Sequence, residues 1–304
     1  MLLNHCTTDS RAMILWNPCT RDFTLLPNPP QLEDSKIGNY LYGLGYDSAT
    51  DDYKVIRGFI CGSDGAPEEI KIHIFSLKTG SWRTVEDIIG YVELKTRPQQ
   101  GLFVNGALLW LCSPPEGGTR ILSFDLGKEE FQTIPVPFDD WCSDPFIHRN
   151  CLCVCTYPTG TNSIDIWMMM KEYGVKESWT VVPVSLENYL LADGPDLRGY
   201  LRPVCILEDG VVLVNGMGSY EHLEVISKLK EKAFTHFVEK AVAYYRFATV
   251  IYQETLVSPN VNPHIETNNV SLLCSVLVVD TLYHLNCVIT VIHSAKFAAV
   301  FAFL

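Results

Sequence analysis

Cys151, Cys153 and Cys155 alternate along the chain. In a strand they would share one face, where a soft metal ion could in principle be captured. Structural zinc, however, favours C-x₂₋₄-C pairs joined by a second pair or by histidines at set spacing, and this sequence has no such partner set. The triplet therefore reads as small core hydrophobes. His5, His73, His148, His222, His236, His264, His284 and His293 each stand alone, with no H-E-x-x-H among them. Gly43-Leu44-Gly45 is followed by Ser48 where a dinucleotide fingerprint needs glycine, so the stretch reads as a bend into a strand. No phosphate-binding G-x-x-x-x-G-K-[ST] and no G-x-S-x-G nucleophile elbow occurs. Asp51-Asp52, Glu68-Glu69 and Asp139-Asp140 lie in turn-like contexts that suit solvated acids. The expectation is a non-enzyme, with no catalytic, cofactor-binding or metal-ligating residue.

The surrounding elements repeat. An aromatic residue follows a polar turn at Phe23, Trp82, Phe131, Trp179 and Phe234, with separations of 59, 49, 48 and 55 residues. That is close to the ~50-residue period of kelch-type blades. A second element recurs out of phase: Phe103 to Trp110 around Asn105-Gly106, Ile147 to Val154 around Arg149-Asn150, and Ile206 to Leu213 around Asp209-Gly210. Asn-Gly and Asp-Gly supply the positive φ angles of a two-residue type I′ turn, so each is a hairpin candidate. Two hairpins per repeat make a four-stranded blade, and stacked blades bury Trp, Phe and Leu rings between them. The expected fold is all-β: a kelch-like, propeller-like array of four-stranded antiparallel sheets, with the ring either closed or incomplete.

Composition limits the partners. The net charge of −12 repels phosphate backbones, so nucleic acid is not expected to bind. The one basic cluster, Lys228, Lys230 and Lys232, reads as a solvated turn. Eleven scattered cysteines and a start without a basic and apolar leader point to a reducing compartment, cytoplasmic or nuclear. All 20 glycines lie at or before Gly218, so turn chemistry runs out there. Residues 220–246 fit either a helical stripe or a degenerate blade. From Pro259 only Glu266, Asp280 and Lys296 are charged, which sets an atypical apolar tail, 260–304, apart from a domain over 1–259. Asp280, His284, Asn286, His293 and Lys296 interrupt the tail, so a membrane span is disfavoured. A loosely packed or helical tail and an aggregation-prone one remain the readings. The Pro-, Gly- and acid-rich connections 62–69, 113–118, 139–145 and 189–197 are candidates for partner contact, through Trp141, Phe146 and Tyr189.

Several strings, in order, resemble one family: Leu15-Trp16-Asn17-Pro18 through Phe23, Gly43-Leu44-Gly45-Tyr46-Asp47 through Val55, and Phe75 to Trp82. Val104-Asn105-Gly106 through Trp110, Ile166-Trp167, Lys171 to Trp179 and Glu254 to Pro259 continue the series. The chain is similar to the F-box-associated interaction domain of plant F-box and F-box/kelch proteins. The resemblance implies substrate recruitment: an F-box binds a Skp1-like adaptor within a cullin-based ubiquitin ligase, and the associated domain holds the target protein for ubiquitination. It implies no chemistry by the domain itself. The F-box that the family carries ahead of this domain is expected to be missing, since the chain starts just before Trp16, and ligase coupling is in question with it. Two other readings stand beside this one. The first is a propeller-fold carbohydrate binder or enzyme, which would need a convergent pocket. The second is a non-functional truncated gene product with exposed strand edges.

Overall fold

A computed structural model describes residues 2–6, 11–17, 20–30, 40–61, 69–85, 93–94, 100–114, 116–138, 142, 145–148, 151–158, 163–169, 178–185, 201–206, 211–216, 222–228, 247–253, 274–281, 287–293 and 302–303. The described residues are strands and turns, arranged as six antiparallel sheets in chain order. The first sheet holds β1 (Leu2–Cys6), β2 (Arg11–Trp16) and β3 (Phe23–Leu25). The second holds β4 (Tyr40–Asp47), β5 (Asp52–Cys61), β6 (Glu69–Ser76) and β7 (Ser81–Val85). In the third, β8 (Glu93–Leu94) and β9 (Leu102–Val104) occupy successive stretches of one edge of β10 (Ala107–Ser113), and β11 (Arg120–Asp125) and β12 (Glu130–Pro135) follow on its other side. The fourth holds β13 (Phe146–His148), β14 (Cys151–Thr156), β15 (Ser163–Met169) and β16 (Trp179–Ser185). The fifth is β17 (Leu201–Ile206), β18 (Val211–Gly216) and β19 (His222–Lys228). The sixth is β20 (Phe247–Gln253), β21 (Cys274–Thr281), β22 (Cys287–His293) and β23 (Ala302–Phe303).

The chain divides into two units. The first comprises 1–139 with 174–176 and 255–269, and the second comprises 140–173, 177–254 and 270–304.

In each of the first four sheets the aromatic period falls at the head of the last strand. Phe23 pairs in register with Trp16, Trp82 with Phe75, Phe131 with Phe124, and Trp179 with Met169. The turns that precede the first three of these aromatics share a geometry. Arg21 N–H donates to Asn17 O, Gly80 N–H to Ser76 O, and Glu129 N–H to Asp125 O, and the donor residue in each case has a positive φ. The β4–β5 turn repeats the pattern with Asp51 at φ 53°. Short polar side chains open these turns: Asp47 Oδ1 accepts from Ala49 N–H, and Asp125 Oδ1 accepts from Gly127 and Lys128 N–H.

Asn105 and Gly106 have φ of 48° and 83°, and Val104 pairs with Ala107 across them. This is the two-residue type I′ turn that the sequence predicts. A Cβ at Gly106 would meet no atom within 4 Å, so Gly106→Ala isolates the backbone cost. Denaturant titration is expected to show a loss of about 1 kcal/mol, with β10 still paired to β11. A loss below about 0.3 kcal/mol would mean that the turn tolerates a side chain in the left-handed region.

Gly43 and Gly45 do not form a bend. They lie within β4, both buried, and a Cβ at Gly43 would stand 2.8 Å from Leu108 Cδ1, while one at Gly45 would stand 2.6 Å from Phe103 Cδ2. The glycines let the third sheet approach the backbone of the second. Leu41, Ile56, Ile72 and Ile74 of the second sheet meet Leu108, Trp110, Leu122 and Phe124 of the third in one buried cluster. The opposite face of the second sheet packs Val55 and Phe75 on Met13, Leu15 and Leu26. First strands of neighbouring sheets adjoin: Tyr42 of β4 forms a parallel bridge to Gln100, and its carbonyl accepts from Gly101 N–H at 2.7 Å. In the second unit β13 adjoins β17, and β17 adjoins β20. Sheets stacked through their first strands are what a blade array requires.

Of the alternatives for 220–246, residues 222–228 form strand β19, and 229–246 lie outside the described residues, Phe234 among them. The apolar tail is not helical where it is described. It supplies β21, β22 and β23, which join β20 in one sheet. Val, Ile and Thr dominate β21 and β22, and such branched side chains favour the pleated surface over a helix. Among the described residues no helix is long and apolar enough to cross a membrane.

Candidate protein-interaction surface

The second and third sheets carry a buried polar network. Lys54 of β5 lies on the same face as Ile56, directed at the third sheet. Its Nζ stands 2.7 Å from Asp47 Oδ2 and 2.9 Å from Glu129 Oε1, and donates to Leu126 O at 2.9 Å. Arg83 pairs with the same Glu129 oxygen. Burial would raise the Asp47 carboxyl, but hydrogen bonds from Lys54, Thr50 and Ala49 outweigh it and hold it at about 2. Glu129 is also lowered, since its bonds from Arg83 and Lys54 overcome the burial that would raise it. Burial depresses Lys54, yet the two carboxylates carry it above its ordinary value. The three groups are thus locked in their charged forms.

The acid pairs are not uniformly solvated. Asp52 is buried, accepting from Lys78 N–H at 2.9 Å and from the Ser76 hydroxyl, whereas Asp51 is exposed and accepts from the Tyr46 hydroxyl. Strand alternation turns Asp52 inward as the first residue of β5. Glu68, Asp139 and Asp140 lie outside the described residues, as does the side chain of Glu69.

Cys153 and Cys155 are fully buried in β14 beside Leu152 and Val154, and burial pushes the Cys153 thiol up to about 12. His73 is buried edge-on against Phe59, and burial holds its imidazole below the ordinary value; its Nδ1 has no hydrogen-bond partner among the described residues. The Tyr46 phenol, bonded to Asp51, rises to about 12. Every resolved shift moves its group away from neutrality. An acid–base or nucleophilic site tunes its groups the other way. Among the described residues no three His, Cys, Asp or Glu side chains gather as metal ligands.

The exposed apolar surface lies elsewhere. Phe23 is 57% exposed and Leu25 is 61% exposed, two residues apart on β3 and so on one face. Trp82 packs against the cluster between the first and second sheets, and Phe131 against that between the second and third. The aromatic period therefore predicts a covered ring at Phe23, which the structure corrects: within the first unit no described sheet precedes the one that carries Phe23. Trp82 Nε1 donates to Pro27 O at 2.7 Å and fixes the chain just beyond β3. Of the three residues that the sequence singles out for partner contact, Phe146 sits in β13 opposite Cys153 and is 4% exposed, so its ring is buried. Trp141 and Tyr189 lie outside the described residues. Sequence reasoning missed Phe23 and Leu25 as surface because burial there depends on a neighbouring sheet, which no local pattern reports.

Residues 1–259 match the family model of the F-box associated beta propeller domain. The chain belongs to that family. F-box protein CPR1 of Arabidopsis thaliana is 31% identical over 68% of this chain and 54% of its own length. F-box/kelch-repeat protein At3g23880 of the same plant is 27% identical over 82% of this chain and 65% of its own length. The chain thus spans between half and two thirds of the length of these curated relatives. A solved structure, the β-propeller domain of the Trilobed protease from Pyrococcus furiosus, is similar over 88% of this chain and 96% of its own, with 11% identity and a TM-score of 0.33. The F-box associated domain of this chain is all-β, built of antiparallel sheets of the four-stranded kind, in the β-propeller class. F-box family proteins generally bind a Skp1-type adaptor and substrates.

Proposed function

We propose that this F-box associated domain is a non-catalytic recognition module that holds a target protein, in the manner of the substrate receptors of SCF-type ubiquitin ligases. The observation that carries the reading is the family match over 1–259. Delivery of the target to a ligase, through a Skp1-like adaptor, belongs to a protein that also carries an F-box. A cytoplasmic or nuclear setting fits the reduced thiol of Cys153, buried in β14.

The exposed face of Phe23 and Leu25 is the first surface to test, because aromatic residues are enriched where protein interfaces are buried. Proximity labelling in plant cells supplies candidate targets, and each is then purified and titrated against the purified chain. The expected result is saturable binding that Phe23→Ser with Leu25→Ser weakens at least about 10-fold, the loss of one or two interface anchors. A folded chain that binds none of the candidates saturably, and instead binds or turns over a sugar or other small molecule, overturns the reading.

A further inference from the structure

Phe23 and Leu25 are open in their backbone as well as in their side chains. Asn17 N–H donates to Asp22 O, and Leu26 N–H donates to Met13 O. These bonds carry the pairing with β2 past both ends of β3, so that it runs from Asp22 to Leu26. They also fix its phase. In an antiparallel pair, residues whose N–H and C=O face the neighbouring strand alternate with residues whose groups face away. Asp22, Thr24 and Leu26 face β2, so the N–H and C=O of Phe23 and Leu25 point out from the edge of the sheet. No described strand pairs with that edge.

The corresponding edges of the next three sheets are guarded. Arg83 stands in β7, Glu130 and Pro135 in β12, and Pro183 in β16. Charged side chains and proline keep an open edge from pairing with another chain. Phe23, Thr24 and Leu25 include neither. Register carries the contrast further, because the positions of Phe23 and Leu25 are held by Trp82 and Thr84 in β7 and by Phe131 and Thr133 in β12. Trp82 and Phe131 pack into clusters between sheets, and both threonines are polar and exposed. Of these three strands, only β3 sets two large apolar side chains in water on one face.

A second copy of the chain is a poor occupant for this edge. Its five residues span about 17 Å, whereas a stable dimer engages about 20–30 residues a side. An extended segment of another protein needs no longer edge, since main-chain bonds hold it and alternate side chains select it. The net charge of −12 disfavours an acidic segment. Resting on the reading of this domain as a recognition module, we propose that the outer edge of β3 takes its target by strand addition. The occupant is an extended segment, apolar at every second residue and free of acids. Its backbone pairs with Phe23 and Leu25, and its apolar side chains lie beside theirs.

A phage-displayed library of random peptides, about ten residues long so as to outreach the edge, is selected on the full chain, and the enriched peptides are synthesised and titrated against it. Alternating apolar residues without acids are expected among them. Methylating their amide nitrogens one at a time should weaken binding at least about 10-fold at every second position and less than about 3-fold between, because only alternate amides donate to β3. On the protein side, Leu25→Pro removes an outward N–H and spares the bonds to β2, so it should weaken the same peptides at least about 10-fold. Leu25→Val, which keeps the N–H, should stay within about 5-fold. Methylation losses without alternation overturn strand addition. So do peptides that bind Leu25→Pro undiminished while that variant keeps its melting transition, and so does a selection that enriches no peptide. If Leu25→Pro does not fold, the methylation pattern on the unaltered chain decides. A chain that sediments as a dimer, and as a monomer once it carries Leu25→Pro, gives the edge to a second copy and also overturns the proposal. Any of these failures leaves the recognition reading standing where a purified target still binds saturably, and removes it as well where none does.

Discussion

Trp110→Ala is expected to lower the stability of the first unit by about 3–5 kcal/mol, the cost of removing a large buried ring from a close-packed site. Trp110 is 1% exposed and sits in the cluster between the second and third sheets. Its indole lies against Gly101, where a Cβ would come within 2.6 Å of the ring, and its Nε1 donates to Tyr42 O at 3.3 Å. Truncation removes three supports together: apolar burial in the cluster, contact with the Gly101 backbone, and one hydrogen bond to the first strand of the second sheet. The cavity cannot collapse easily, because β10 is paired on both sides. Urea titration followed by circular dichroism measures the loss. Phe23→Ala, at the first position of the aromatic period, is expected to stay within about 0.5 kcal/mol because its ring is mostly in water. A Trp110→Ala cost below about 1 kcal/mol would show that this cluster does not hold the two sheets together.

Lys54→Met is expected to cost about 3 kcal/mol near neutral pH, since it strands Asp47 as a buried carboxylate, removes one partner of the half-buried Glu129 and deprives Leu126 O of a donor. Glu129 keeps Arg83, so the heavier penalty falls on Asp47, whose side chain is 2% exposed. The pH dependence identifies the cause. In the unaltered chain the folded-state value of Asp47, about 2, lies below its ordinary 3.8, so the native state holds that proton less tightly than the unfolded one. The resulting stability, about 2 kcal/mol, is complete above roughly pH 5 and is lost as pH falls toward 2. Glu129, also lowered, contributes in the same direction. With Lys54 gone, burial dominates at Asp47 and raises its carboxyl, so mild acid should recover part of the lost stability. A variant that weakens in mild acid as the unaltered chain does would point to lost packing of the lysine stem instead. Adding Asp47→Leu to Lys54→Met should restore part of the loss, which a double-mutant cycle would measure as coupling.

Local chemistry made much of the fold legible. The aromatics at Phe23, Trp82 and Phe131 mark the last strands because each follows a turn that must reverse the chain within a few polar residues, and turn chemistry is local. Asn105-Gly106 was legible for the same reason. What depends on stacking was not. Lys54 and Glu129 are 75 positions apart and meet only when the third sheet lies on the second. Gly43 and Gly45 read as a bend, because a glycine required by the side chains of a neighbouring sheet looks no different from one required by its own φ. Asp52 read as a solvated acid, but it opens β5 and is buried, whereas Asp51 before it sits in the turn and is exposed. The apolar tail lacked glycine turns, and its strands went unread without them. As for recognition, Phe23 was noticed and given the wrong surroundings, Phe146 is buried, and loop composition alone carries Trp141 and Tyr189.

Within each described sheet, strands that pair are for the most part neighbours in sequence. Such pairing closes short loops, and low contact order favours rapid formation. A chain leaving the ribosome at about 5–20 residues per second would complete a blade-sized stretch within several seconds, before the next has emerged. Vectorial assembly of this kind keeps each half-made sheet exposed only briefly, so synthesis can proceed with little apolar strand surface waiting for a distant partner.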